Sequence, residues 1–226
     1  MDRVPGNAYK RQVLIVDDHP IVRRGLAMLL SAEPDLAVCG EASDAAEALA
    51  EIERLRPDIA IVDLSLRDSN GLDLIKDIRG RWPALPVIVY SLHDERLYAE
   101  RVLRAGARGY IAKGDPLSNV VDGIRRTLGG GVYVSDHIAG QVIGRLVEGH
   151  GYESSGGVDR LTDRELQVFE FVGKGYRTRD IAEQLQLSVK TVDAHRENIK
   201  RKLKLSGAAE LHQQAIQWVQ SRHVGG

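Results

Sequence analysis

The amino-acid sequence predicts an α/β fold, a doubly wound sheet of five parallel strands, followed by a small all-α domain built on a helix-turn-helix. Three observations predict it. From Val13 to Leu128, short apolar runs rich in Val and Ile alternate with amphipathic stretches, which is the pattern of successive βα units. The stretch GHGYESSGGVD at 149–159 then breaks that pattern and reads as a flexible linker. Beyond Leu161 only helical spacing remains. The domains expected are therefore residues 10–130, a linker with one helix at 131–158, and a helical domain at 159–226.

Each element follows from its own residues. VLIV at 13–16 is the first strand, and Ile21–Leu30 its helix. LAVCG at 36–40 and Ala45–Leu55 form the second unit, with Ser43 or Asp44 placed to cap the helix. IAIVD at 59–63 precedes Leu72–Ile78, VIVY at 87–90 precedes Glu95–Ala105, and GYIA at 109–112 precedes Pro116–Leu128. Pro116 suits a first-turn position, where its missing N–H costs nothing. Continuous apolar runs of this length predict strands covered on both faces. GGGVYVS after Leu128 is a turn-rich exit, and Asp136–Val147 has helical spacing. Four more helices are expected at 163–173, 179–185, 189–203 and 208–222.

Composition narrows the function classes. The 226 residues are 43% hydrophobic and 28% charged, with a formal net charge of −1. No stretch approaches the roughly 18 apolar residues of a membrane span, so no membrane association is expected. MDRVPGNAYK has no apolar run behind a basic start, so no secretory signal is expected. Cys39 is the single cysteine, which excludes an intrachain disulfide and a thiolate metal site. A cytoplasmic location fits. The near-neutral total hides an asymmetry: residues 159–226 carry a net +3 and the rest a net −4. Lys190–Lys204 alone holds six basic against two acidic residues, which suits either an anionic partner or a solvated face.

In a doubly wound sheet, functional groups gather beyond the carboxyl ends of the strands. Asp17 and Asp18 end the first strand here, Asp63 the third, Ser91 the fourth and Lys113 the fifth. Taken singly, Asp17 or Asp18 reads as a helix cap, Lys113 as a solvated lysine and Ser91 as a loop hydroxyl. Together they read as a site. Three converging carboxylates repel one another unless a cation sits among them, and hard oxygen ligands suit Mg²⁺. Asp63 can attack phosphorus as a carboxylate nucleophile, while Lys113 and the Ser91 hydroxyl can bind the transferred group.

Residues 12–128 resemble the receiver domain of bacterial two-component response regulators. VLIVDDHPIVRRGL, IAIVDLSL and GARGYIAKGD are similar to the NarL/FixJ class, and the implied fold is the flavodoxin-like, CheY-like receiver. The resemblance implies that Asp63 is the phosphoacceptor, that Asp17 and Asp18 bind Mg²⁺ with Asp63, and that the Ser65 carbonyl is a further ligand. It also implies that Ser91 and Tyr110 are the switch hydroxyl and switch aromatic, and that Lys113 is the family lysine. The chain departs from the pattern at Arg67 and Gly114, where many receivers carry proline. Ser65 and His93 fall where family members vary and phosphoryl lifetime is tuned. A sensor histidine kinase is the implied donor, with a homodimer as the phosphorylated form.

In the last domain, Ile181, Ala182 and Leu185 form the apolar stripe of a short helix that Thr178 would cap. Gln186-Leu187 makes a turn, and Ser188 caps the next helix. Val192, Ile199 and Leu203 then share an inner face, with His195 beside it. Two helices of this kind, the second basic, fit a helix-turn-helix that enters the major groove of double-stranded DNA. Lys190, Arg196, Lys200 and Arg201 are phosphate-contact candidates. Asp193, Ala194 and Glu197 face base edges, with the acids free either to accept from cytosine or to pair with neighbouring bases along the helix. Thr178 and Thr191 complete the expected interface.

Leu161-Thr162, Arg164-Glu165, Gly175, IAEQL, SVKTV, His195, Ile199 and KL at 202–203 make this segment resemble the LuxR-type helix-turn-helix. The joint expectation is a transcription regulator that is switched at Asp63 and binds promoter half-sites, with no external-substrate enzyme activity. Two alternatives stand beside it: a phosphotransferase using Asp63 catalytically, and a DNA-binding protein whose receiver is degenerate.

Overall fold

The computed structural model describes residues 10–66, 69–140, 157–185 and 187–223, and the chain divides into two compact units, 1–149 and 150–226. Strands β1 (Arg11–Val16), β2 (Leu36–Ala42), β3 (Ile59–Val62), β6 (Val87–Ser91) and β7 (Gly109–Ala112) form one parallel sheet in the order β2-β1-β3-β6-β7. A two-residue antiparallel pair, β4 (Ser65–Leu66) with β5 (Ser69–Asn70), forms a separate small sheet that no apolar run in the sequence announces. Helices α1 (Pro20–Ser31), α2 (Ala45–Leu55), α3 (Gly71–Arg81), α4 (Glu95–Ala105) and α5 (Ser118–Leu128) connect the strands.

Alternation along each strand builds the two halves of the core. Val13, Ile15, Ile59, Ile61, Ile88 and Ile111 pack with Leu26 and Leu30 of α1 and Val120 and Ile124 of α5. The intervening Leu14, Val16, Ala60, Val62 and Val89 are equally buried. So are Ile52, Ile75, Tyr98 and Val102 on the helices of the other layer. This is why the strands read as continuous apolar runs. Asp44 is the N-cap of α2, accepting from Glu47 N at 2.9 Å. Pro116 is a correction: it precedes α5 instead of opening it, and its carbonyl accepts from Asn119 N. Within the expected linker, Tyr133 bridges to Gly109 at the edge of the sheet and Ile138 is buried. Helical structure begins at 136 and is described as far as 140; the remainder of the helix expected at 136–147 lies outside the described residues.

The second unit holds α6 (Asp163–Gly173), α7 (Thr178–Gln184), α8 (Val189–Leu203) and α9 (Ala208–His223). Thr162 and Glu165 form a capping box at the start of α6. Phe169, Val172, Ile181, Val192, Ile199, Leu211 and Ala215 make the core. A Cβ on Gly173 would stand 2.4 Å from the Ala215 carbonyl oxygen, so glycine sets how closely α6 approaches α9. Thr178 is the first helical residue of α7 and Arg177 its N-cap, which corrects the expected Thr178 cap. Among the described residues, no helix is long and apolar enough to cross a membrane.

Candidate functional site

The strand order turns back between β1 and β3, and that switch point is where doubly wound sheets bind ligands. Asp17 follows β1 and donates its amide to Ala42 O at 3.0 Å. Asp63 follows β3 and donates its amide to Val16 O at 2.8 Å. Lys113 follows β7 and donates its amide to Ser91 O at 2.8 Å. The backbone ladder thus fixes all three side chains at one end of the sheet. Lys113 Nζ donates to Asp17 Oδ2 at 2.7 Å and to Asp63 Oδ2 at 2.8 Å, with all three side chains under a tenth exposed. Gly71 allows this crowding: a Cβ there would lie 2.2 Å from the Asp63 carbonyl oxygen.

The pocket is short of positive charge. Asp17 and Asp63 share the Lys113 ammonium, and Asp63 Oδ1 is buried with no hydrogen-bond partner. Burial, then the neighbouring Asp63, raises the Asp17 carboxyl above its usual pKa despite Lys113. Burial alone would lower the Lys113 pKa, but Asp63 and Asp17 outweigh it and the ammonium is held above its usual value. Ligand atoms of Asp17, Asp18, His19 and Asp63 all lie within 4.8 Å of one another, a donor set that fits a divalent cation. His19 was not foreseen as part of this cluster. Its Nδ1 lies 2.6 Å from Asp18 Oδ1, without the alignment of a hydrogen bond. The signal was its position directly after the acidic pair.

The predicted switch residues flank the pocket. Ser91 is fully buried, and its hydroxyl accepts from His93 N at 3.4 Å. Tyr110 is buried, and its hydroxyl donates to the His93 carbonyl at 2.7 Å. Burial, then Asp63, pushes the phenol pKa up. Ser65 Oγ and His93 Nε2 are 3.0 Å apart, so the two variable positions touch. Gly114 is exposed, and Arg67 lies outside the described residues.

In the second unit, buried Val192 and Ile199 turn one face of α8 inward. Lys190, Asp193, Ala194, Glu197 and Arg201 are exposed. Ser188 Oγ accepts from Thr191 N at 3.0 Å and meets Thr191 Oγ1 at 2.7 Å. Arg196 and Thr178, predicted as separate contacts, are hydrogen-bonded to each other at 2.6 Å, which ties α7 to α8. Lys200 pairs with Glu197 at 2.8 Å, and Arg201 with Asn198 at 2.8 Å. His195 is half-buried, and burial lowers its pKa. Lys202 reaches the buried Glu165 at 2.6 Å.

Residues 13–125 match the response regulator receiver domain, and residues 159–215 match the luxR family of bacterial regulatory proteins. The chain is a response regulator. It belongs to the class that joins a receiver to a LuxR-type DNA-binding domain. The oxygen regulatory protein NreC of Staphylococcus carnosus is 32% identical over 209 residues, covering 91% of this chain and 96% of that protein. NreC of Staphylococcus aureus matches equally. A LuxR-family response regulator from Aurantimonas is 33% identical, covers 61% of this chain and 99% of its own, and gives a TM-score of 0.57. RcsB of Salmonella enterica serovar Typhimurium, bound to promoter rprA with the phosphomimetic BeF3−, is 25% identical over 90% of this chain and 97% of its own, with a TM-score of 0.60. The acidic pocket belongs to the receiver of this response regulator, and the outer face of α8 to its DNA-binding domain.

Proposed function

We propose that this response regulator takes a phosphoryl group on Asp63 from a sensor histidine kinase, and that the modification controls how α8 meets DNA. One observation carries the proposal: Lys113 binds Oδ2 of Asp63 while Oδ1 stays buried and unpaired. The ammonium orients the carboxylate and leaves one oxygen as the nucleophile. In the transfer, Asp63 Oδ1 bonds to phosphorus, the P–N bond of the donor phosphohistidine breaks, and the imidazole leaves with the electron pair. Asp17, Asp18 and Asp63, with the Ser65 carbonyl, would hold Mg²⁺, which neutralises charge on the transferring oxygens. Lys113 then pairs with the bound phosphoryl group, and the Ser91 hydroxyl donates to it. Turning Ser91 toward the phosphoryl group takes away the acceptor of His93 N, and the loop tied to Tyr110 repacks.

Promoter half-sites are the DNA partner. Lys190, Arg196, Lys200 and Arg201, with Thr178 and Thr191, position the backbone, and Asp193, Ala194 and Glu197 read base edges. Phosphorylation alters dimerisation and the exposure of α8 in a cytoplasmic regulator that turns over no external substrate. The test is incubation with a small acyl phosphate. The wild-type protein gains one phosphoryl mass and Asp63→Asn gains none; a labelled Asp63→Asn protein would refute the assignment.

A further inference from the structure

We propose that Glu95 is a latch, controlled by the occupancy of Asp63, that sets where the helix leaving the receiver begins. This inference rests on Asp63 being the phosphoacceptor.

The latch is built on the far edge of the sheet. Past α5 the chain returns along β7: Tyr133 N donates to Arg108 O at 2.9 Å, and Tyr133 O accepts from Tyr110 N at 2.8 Å. Two glycines make room for this return. A Cβ on Gly109 would lie 2.9 Å from the Tyr133 carbonyl oxygen, and one on Gly123 would lie 3.2 Å from the Tyr133 ring. A side chain at Gly109 would press on the Tyr133 backbone, and one at Gly123 would crowd the Tyr133 ring and Ile111. Two residues on, Ser135 N donates to Glu95 Oε1 at 2.9 Å. Ser135 in turn opens the next helix, its Oγ accepting from Ile138 N at 3.3 Å and its carbonyl from Ala139 N at 2.9 Å. Ile138 is buried at 3% exposure. Ser135 thus acts as a helix cap, and the Glu95 carboxylate sits at the helix end that favours negative charge.

Glu95 is also the first residue of α4, directly after the N-cap Asp94, whose carboxylate accepts from Arg96 N. Asp94 follows His93, whose carbonyl is bound by Tyr110 and whose amide is bound by Ser91. Five consecutive residues, Ser91 to Glu95, therefore join the phosphoacceptor pocket to the cap of the exit helix. An open cleft of about 510 Å³ runs along them, lined also by Lys113, Ser135 and His137. Drawing Ser91 toward a phosphoryl group shifts the start of α4 and carries the Glu95 carboxylate away from Ser135 N. Tyr133, held by the backbone of β7 and by its ring against Gly123 and the core, stays in place as the pivot.

Amide hydrogen exchange on the full chain tests this, with and without acyl phosphate and with intact mass read in parallel. Phosphorylation raises exchange at 135–140 about tenfold, the effect of losing one hydrogen bond to a charged acceptor, while Tyr133 and Tyr110 amides keep their protection. Glu95→Ala shows the raised exchange without donor and gains little on phosphorylation; Glu95→Gln, which keeps a neutral acceptor, falls between. If α4 of Glu95→Ala is itself loosened, the wild-type comparison and Glu95→Gln still decide. A phosphorylated wild-type protein with unchanged exchange at 135–140 overturns the latch and leaves Asp63 standing. Absence of any added mass overturns both.

Discussion

Replacing Lys113 with Met removes one positive charge from a pocket that already lacks them. The long apolar side chain preserves most of the lysine stem's packing, so the loss is electrostatic. In the wild type, Nζ serves two carboxylates that are 2% and 3% exposed. Breaking a buried pair by removing one partner costs about 3–5 kcal/mol, because an uncompensated charge is left behind. With a urea slope of about 2 kcal/mol/M, the unfolding midpoint of the first unit falls by about 2 M. Trp82 reports it in a Trp218→Phe background, since the chain has two tryptophans.

The sign of the pH dependence follows from Asp17. Its pKa is raised in the fold, so the folded state binds protons more tightly than the unfolded chain. Its contribution therefore worsens as pH rises from its ordinary value near 3.8 to its folded value, and it is fully unfavourable above that. Without Lys113, which lowers it, the Asp17 pKa rises further, so the variant regains stability as pH falls from neutral. Saturating Mg²⁺ restores part of the loss at neutral pH, about 2.7 kcal/mol at a hundredfold excess over its Kd. A loss under 1 kcal/mol, or one indifferent to both pH and Mg²⁺, would refute this reasoning.

Gly71→Ala forces a methyl onto the Asp63 carbonyl and should cost at least about 1–3 kcal/mol while slowing phosphoryl uptake, measured by urea unfolding and labelling rate. Lys190→Ala should weaken binding to all duplexes alike and reduce the salt slope by about 1, read by titration at several salt concentrations. Glu197→Ala should instead relax base preference at one position by about 1–3 kcal/mol, checked by selection from a random duplex pool. In the second unit, burial raises the Glu165 pKa, but Lys202 and Thr162 outweigh it and hold it below its usual value. Its stabilisation is therefore present above its ordinary pKa near 4.5 and lost as pH falls through the folded value; Glu165→Gln should flatten unfolding curves across that range.

The sheet was legible because strands buried on both faces must be apolar throughout, so VLIV, IAIV and VIVY declared themselves. The pocket was legible because Asp17, Asp63, Ser91 and Lys113 interrupt those runs at their carboxyl ends. What the sequence concealed are pairings set by three-dimensional approach. Nothing in GGGVYVS indicates that Tyr133 lies on β7, since the cause is space left by Gly109 and Gly123. Arg196 and Thr178 are eighteen residues apart, and only the packing of α7 on α8 brings them together. Glu95 opens α4 in the sequence and in the structure, and its reach to Ser135, forty residues on, is likewise set by packing alone.

The central claim is that occupancy of Asp63 governs DNA binding, and affinity for a pool-selected duplex measures it most directly. With acyl phosphate and Mg²⁺, the wild-type protein should bind about tenfold tighter, a coupling of about 1.4 kcal/mol, and Asp63→Asn should not respond. Phosphorylated wild-type protein with unchanged affinity, or an Asp63→Asn protein that responds fully, would contradict the account.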